Sequence, residues 1–381
     1  MPAHRMQLKQ LQLQNFRNYT HLVMEPCAGI NVLAGKNAQG KTNLLEAVYL
    51  LATTRSFRGS RDAEAIRHGA ESAQIRAEVA KENSPDVTLE LILLPTDTKR
   101  VRINGSARPR VLELLGNLNA VTFFGQDLAI VSGEPSDRRR FLNVEISQMS
   151  PRYLHEFAQY KKALEQRNRI LRDLPERPEL ASVLEAWNDQ LVQHGAPLIQ
   201  KRRFFIQQLA PIARRIHAEL TEDGEILEVK YLSGIAADGD EAQIRQAFRE
   251  ELRRTALAER HRGQTLTGPQ RDDLAITING WDARQYASNG QQRTATLSLK
   301  LAQFQMMREA LKEAPVVLLD DVLSELDEKR RLHLMDWVMR RCQVFLTCTS
   351  TDALPGDVVA DAAIWQVEAG EVHLCCRHQS E

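Results

Sequence analysis

The chain has 381 residues, with 50 Lys+Arg against 50 Asp+Glu, 43% hydrophobic and 26% charged residues. That is the composition of a folded protein of two or three domains, and it excludes disorder and collagen-like repeats. No window offers 18 consecutive apolar residues, and Met1–Gln14 lacks the apolar core of a signal peptide, so a cytoplasmic location is expected. Cys27, Cys342, Cys348, Cys375 and Cys376 include no CxxC pair and read as reduced thiols.

The zero net charge is unevenly spread. Met1–Ala70 holds nine Lys+Arg against four Asp+Glu, Lys161–Arg215 eleven against six, and Leu301–Glu381 eight against fourteen. A neutral chain can therefore present a basic face to a polyanion, although most charge runs on helices are merely solvated.

In chain order, the alternation of Leu8–Phe16 predicts a strand, and Gly29–Ala34 a short apolar one. The second runs into a Gly-bearing loop and then an apolar-periodic helix, Lys41–Leu51. Val87–Leu94, Arg100–Asn104 and Ala120–Phe124 read as strands, with a tight turn at Asn104-Gly105. From about Glu134 to Arg262 the spacing becomes helical and highly charged, clearest over Pro151–Leu171, Leu180–Gln208 and Asp240–Arg260. Strand character then returns. Leu274–Ile278 and Trp281–Ala283 flank the hairpin signal Asn279-Gly280, and Ser298–Leu311 is helical. Val316–Leu319 is a wholly apolar run, as a buried parallel strand requires. Val344–Thr347, Ala363–Val367 and Glu371–Cys375 close the series. The expected organisation is an α/β domain built from residues 1–130 and 263–381, with a helical arm, residues 131–262, inserted between its halves.

Gly35-Lys36-Asn37-Ala38-Gln39-Gly40-Lys41-Thr42 fits G-x-x-x-x-G-K-[ST] completely, between a strand and a helix. Glycines let backbone N–H groups curl around phosphate oxygens, and the following helix turns its positive end toward the anion. Lys41 reaches the β- and γ-phosphates, and the Thr42 hydroxyl ligates Mg²⁺. Val316–Leu319 ends in Asp320-Asp321, placing Asp320 on the metal and Asp321 toward the γ-phosphate and an attacking water. Ser288-Asn289-Gly290-Gln291-Gln292-Arg293 precedes the helix before that strand and offers a second anion cradle, or an ordinary helix cap.

This set resembles the ABC-type head ATPases: phosphate loop, Ser-x-Gly-Gln signature, Asp-ended strand and Ser324-Glu325-Leu326-Asp327, in the order that superfamily uses. Within it, the chain resembles the RecF family of recombination mediators. Leu13–Tyr19, Asn43–Ala47, Arg55–Arg58, Phe123–Leu128, Gly133–Leu142, Gly268–Asp273, Ser288–Arg293 and Leu318–Asp327 carry the likeness across nearly the whole chain. The resemblance implies an ABC-type P-loop head and ATP with Mg²⁺ as cofactors. It implies a homodimer in which Ser288, Gly290, Gln291 and Arg293 of one copy close on the other copy's nucleotide. It further implies binding to duplex and gapped DNA, and partnership with RecR, and with RecO and RecA in the pathway. Gln126 sits where a loop Gln commonly meets Mg²⁺ and water. Asp321 stands where most such ATPases carry Glu, and no His follows Val344–Thr347, so the resemblance implies slow hydrolysis, a switch rather than a motor.

For the DNA contacts, Arg55, Arg58 and Arg61, the cluster Arg138-Arg139-Arg140 and the cluster Lys201-Arg202-Arg203 are the candidates. Arg138–Arg140 could equally pair with acidic residues at a domain junction. A transporter ATPase subunit is the alternative function, but the gap from Thr42 to Ser288 is far longer than that module needs. Long-armed chromosome ATPases need heptads this chain lacks, and GTPases need an Asn-Lys-x-Asp motif, also missing.

Overall fold

The computed structural model describes residues 5–59, 61–82, 84–236, 239–339 and 341–377, and only the backbone of Ser324, Glu325, Ala353, Asp357 and Arg377. The Ser324-Glu325 side chains of the acidic motif thus lie outside the described residues. Two units are present: Met1–Asp127 with Leu297–Glu381, and Leu128–Thr296.

The first unit contains two six-stranded sheets. One is antiparallel throughout, with β1 (Gln7–Phe16), β2 (Tyr19–Met24), β4 (Ala73–Lys81), β5 (Ser84–Leu93), β6 (Lys99–Ile103) and β7 (Ser106–Arg108) in the order β2-β1-β4-β5-β6-β7. Its strands alternate: Ala73, Ile75, Ala77 and Val79 of β4 are buried while Arg76 and Glu78 are exposed, the pattern of a sheet with one dry face. The other sheet comprises β3 (Ile30–Ala34), β8 (Ala120–Phe124), β12 (Val316–Asp320), β13 (Val344–Cys348), β14 (Ala362–Glu368) and β15 (Glu371–Arg377), in the order β15-β14-β3-β13-β12-β8. Its strands are parallel except the edge strand β15. Every residue of β3, β8 and β13 is buried, so both faces are covered and the sequence runs apolar instead of alternating. Helix α1 (Lys41–Thr53) follows β3 and buries Leu44, Leu45, Val48, Leu50 and Leu51.

The second unit begins with the turn α2 (Ala129–Ser132) and the helices α3 (Pro135–Met149), α4 (Pro151–Asp173), α5 (Ala181–Thr221) and α6 (Glu241–Arg262). Helix α5 runs 41 residues, straight through Pro197 and Pro211, although an internal proline removes a backbone hydrogen bond. The buried stripe Leu191, Val192, Leu198, Ile199, Phe205, Ile206, Leu209, Ala213 and Ile216 continues across both, and that packing overrides the local cost. The unit is not purely helical. Strand β9 (Leu227–Leu232) pairs with β10 (Asp273–Ile278), which pairs with β11 (Trp281–Asp282). That pairing carries the inserted unit on to Thr296, past the expected limit at residue 262. The short helix α7 (Ala283–Tyr286) follows, and α8 (Asn289–Leu311) starts nine residues before its apolar spacing becomes regular at Ser298.

Candidate nucleotide site

The phosphate loop leaves the C-terminal end of β3 and becomes α1 at Lys41. Its shape requires glycine at two places. A Cβ on Gly35 (φ 156°) would lie 2.3 Å from the Val367 carbonyl oxygen, and one on Gly40 (φ 118°) 2.7 Å from the Tyr19 hydroxyl; neither space admits a side chain.

Neighbouring turns hold the loop from outside. Asn18 Nδ2 donates to the Gln39 carbonyl (2.8 Å), and the Tyr19 hydroxyl donates to the Gly40 carbonyl (3.0 Å). The Ala369 and Gly370 N–H groups, at the β14–β15 turn, donate to Gln39 Oε1 (2.7 Å) and the Gln39 carbonyl (3.3 Å). Within α1, the fully buried Glu46 accepts from two of the three Arg17 guanidinium nitrogens (2.9 and 2.6 Å) and from Ser56 Oγ (2.6 Å). Arg17, Asn18 and Tyr19 are thus parts of the loop's frame, which explains structurally why they accompany the motif.

Lys41, only 4% exposed, donates from Nζ to the Gly35 and Lys36 carbonyls (2.6 and 2.9 Å), inside the loop it serves. Thr42 Oγ1 donates to Asp320 Oδ1 at 2.9 Å, joining residues 278 positions apart. The sheet order explains that junction. Strand β13 separates β3 from β12, and its Thr347 is the register partner of both Leu33 and Asp320. Thr347 Oγ1 donates to the same Asp320 Oδ1 (2.8 Å) and accepts from the Asp321 N–H (2.9 Å). Thr347 is the site residue that sequence reasoning missed; the only signal was a hydroxyl residue closing an apolar run.

Asp321 takes a left-handed backbone (φ 51°) at the end of β12, a conformation Asp tolerates better than most residues. Gln126 is exposed on the 3₁₀ turn Gly125–Leu128, just beyond β8, whose Phe124 is the register partner of Asp320. Gln126, Asp320, Thr347 and the phosphate loop therefore share one end of the parallel sheet. Both hydroxyl bonds to Asp320 fall on Oδ1, and Oδ2 has no protein partner among the described residues. A carboxylate with one free oxygen beside a threonine hydroxyl fits a hard divalent cation such as Mg²⁺.

Burial pushes the Cys348 thiol up to about 11 from its ordinary 9.0, against the Lys41 ammonium and with the help of Asp321. Burial likewise pushes Cys342 up to about 12 and raises Tyr19, Tyr153, Tyr160 and Tyr231. These groups hold their protons more tightly folded than unfolded, so stability falls as pH rises from about 9 through about 11. The thermal midpoint should decline over that interval; a flat profile would contradict the burial.

In the second unit, Ser288 caps α8. Its Oγ accepts from the Gln291 N–H (3.2 Å), while Gln291 Oε1 accepts from the Ser288 N–H (2.8 Å). Gln291 Nε2 donates to Glu225 Oε1 (2.8 Å). Ser288, Gly290 and Arg293 are exposed. The helix-cap reading holds as geometry, with the Ser288 and Gln291 N–H groups both bonded within the cap.

The basic candidates separate. Arg55 and Arg61 are exposed, as is Lys201, which lies over the Phe204 ring. Arg58 is exposed but bonds Glu46 (3.2 Å) and Asn43 Oδ1 (2.7 Å). Arg138 is buried and grips Asp273 with two nitrogens (2.6 and 2.9 Å), while Arg139 donates to the Asp272 carbonyl (3.0 Å). Arg202, 1% exposed, bonds the Tyr153 hydroxyl, the Pro269 carbonyl, Asn143 Oδ1 and, at 3.5 Å, Asp272. Arg138 and Arg202 therefore offer no free guanidinium face to an outside phosphate, and of the candidates for DNA contact only the exposed ones keep a side chain open to solvent.

Comparison with known proteins agrees with this arrangement. The family model described as RecF/RecN/SMC N terminal domain matches residues 7–363. The DNA replication and repair protein RecF of Staphylococcus aureus (strain JH9) is 39% identical over 372 residues, which span 96% of this chain and all of that protein. A solved structure of the recombination mediator protein RecF with ATP, in the RecFOR pathway, superposes with a TM-score of 0.91 at 33% identity, covering 99% of both chains. The Smc head domain from Pyrococcus furiosus, solved with an extended coiled coil and bound to the C-terminal domain of ScpA, gives 0.56 at 16% identity over 97% of this chain and 96% of that one. At that identity the likeness speaks for the fold alone.

Proposed function

Since this chain belongs to the RecF family of DNA replication and repair proteins, with an ABC-type ATPase head, we propose that it binds duplex and gapped DNA as an ATP-induced dimer in recombinational repair and replication restart. The observation that carries the reading is the junction of Thr42, Asp320 and Thr347 beside a phosphate loop held rigid from both ends of the chain. ATP lies on Gly35–Thr42, with Lys41 moving from the loop carbonyls to the β- and γ-phosphates. Thr42 and Asp320 would hold Mg²⁺, which supplies charge neutralisation at the phosphates. Ser288, Gly290 and Gln291 of a second copy cover the γ-phosphate, with the positive end of a helix turned toward it. Arg293, exposed at the start of the second turn of the same helix, adds positive charge to that surface. Asp321 and Gln126 orient the water. Asp321 is one methylene shorter than glutamate, which keeps hydrolysis slow and lets nucleotide state act as a timer. The dimer then passes gapped DNA to RecR and RecO for RecA loading, in the cytoplasm. The transporter alternative is set aside, because the Staphylococcus aureus relative, matched along its full length, is a DNA replication and repair protein.

A gel-shift series on gapped, blunt and single-stranded DNA with ATP, ADP and no nucleotide tests the reading. Binding should require ATP, prefer duplex with a gap, change little with sequence, and weaken steeply as salt rises, because displaced counterions set the affinity. Mobility that never responds to nucleotide would remove the proposal.

A further inference from the structure

The segment leading to the Ser288 cap carries more apolar surface than a helix cap needs. Strands β10 and β11 meet at the turn Asn279-Gly280, where Asn279 takes a left-handed backbone (φ 52°). Trp281, the first residue after the turn, is 65% exposed, and its ring meets that of Tyr286, also 65% exposed, edge-on at 5.6 Å. Neither the indole N–H nor the phenol hydroxyl has a partner among the described residues. Ile226, 48% exposed, exchanges hydrogen bonds with Asn279: its N–H donates to Asn279 Oδ1 (2.8 Å), and its carbonyl accepts from the Asn279 N–H (2.9 Å). Its neighbour Glu225 is the acceptor for Gln291. Ile226, Trp281, Tyr286, Ser288 and Gly290 thus form one exposed surface, tied together by backbone and side-chain bonds.

We propose that Trp281, Tyr286 and Ile226 are the apolar part of the face on which a second copy of this chain closes in the ATP state. The inference rests on the ATP-bridged dimer proposed above. Its occupant follows from continuity: Tyr286 stands two residues before Ser288, and a second copy that brings its nucleotide to Ser288–Gln291 must cover this surface. Large rings left in water with unused polar tips are the residues that dominate protein interfaces, because they bury much area at little entropic cost. Helix α7 connects Trp281 to the Ser288 turn. A base of unpaired DNA stacking on the rings is the competing occupant.

Intrinsic fluorescence reads this surface directly. Of the four tryptophans, Trp365 is buried and Trp187 and Trp337 are half-buried, so acrylamide quenching reports mainly Trp281. The full chain is followed by sedimentation and by quenching, with and without Mg²⁺ and a non-cleavable ATP analogue. Dimers should appear together with loss of the quenchable emission. The variant Trp281→Ala/Tyr286→Ala should melt like the parent, bind nucleotide as a single copy equally well, and self-associate about 10-fold or more less tightly. Trp281→Phe should retain association. Dimers with Trp281 still quenchable, or a double variant that associates normally, would overturn the inference and leave the dimer standing. A parent chain that never dimerises would sink the dimer and the inference together. Protection of Trp281 by gapped DNA without nucleotide would assign the surface to stacked bases instead.

Discussion

Replacing Lys41 with alanine is expected to abolish ATP-dependent dimers at concentrations where the parent chain forms them. The ammonium lies against the Gly35 and Lys36 carbonyls of the phosphate loop, and on the proposed reading it would make charge-assisted bonds to the β- and γ-phosphates with a combined net contribution of about 1.5–3 kcal/mol. Nucleotide affinity should therefore fall roughly 10–150-fold. Lys41→Arg should keep the fold and weaken dimers, because a planar fork replaces a compact ammonium in a space closed by the Gly35 and Lys36 carbonyls. Isothermal titration gives the affinity and sedimentation the dimer. Parent-like dimers in Lys41→Ala would show that the triphosphate is held elsewhere.

Arg202→Ala should cost about 3–5 kcal/mol, lowering the melting midpoint of the inserted unit by on the order of 10 °C. Arg202 bonds Tyr153, Asn143 and the Pro269 carbonyl, and faces Asp272. Burial already pushes the Asp272 carboxyl up, while the Arg202 guanidinium pulls it down. Removing Arg202 leaves a buried carboxylate with its charge uncompensated, so the loss should shrink toward acid pH, where Asp272 takes up a proton. Lys201→Ala, at an exposed position next door, should stay within about 0.5 kcal/mol of the parent. Equal melting of both variants would mean that solvent reaches the Asp272 side.

The contrast between those neighbours shows what a sequence can carry. Gly35–Thr42 was legible because its spacing is fixed by the geometry of phosphates, and Asp320 because the carboxylate must end a buried strand. The basic triplets were not. Successive helical residues point about 100° apart, so Lys201-Arg202-Arg203 must split between solvent and core, and composition cannot say which member goes in. The partners that decide it, Tyr153, Asn143 and Asp272, come from distant positions. The same distance hid Thr347, whose role depends on β13 lying between β3 and β12. It also hid β9, a strand within helical spacing, which is specified by its pairing with β10 about 40 residues later.

Strand β3 has consequences for how the protein is made. Its two neighbours in the sheet, β13 and β14, are synthesised some 300 residues after it. At about 5–20 residues per second, the nascent strand waits roughly 15–60 s with both apolar edges unpaired. A translation product cut off before Ala362 would lack a neighbour of β3 and the turn that steadies Gln39. A product that stops short of that strand lacks part of the phosphate loop's frame, so on the proposed reading it is silent in any process that nucleotide binding switches on.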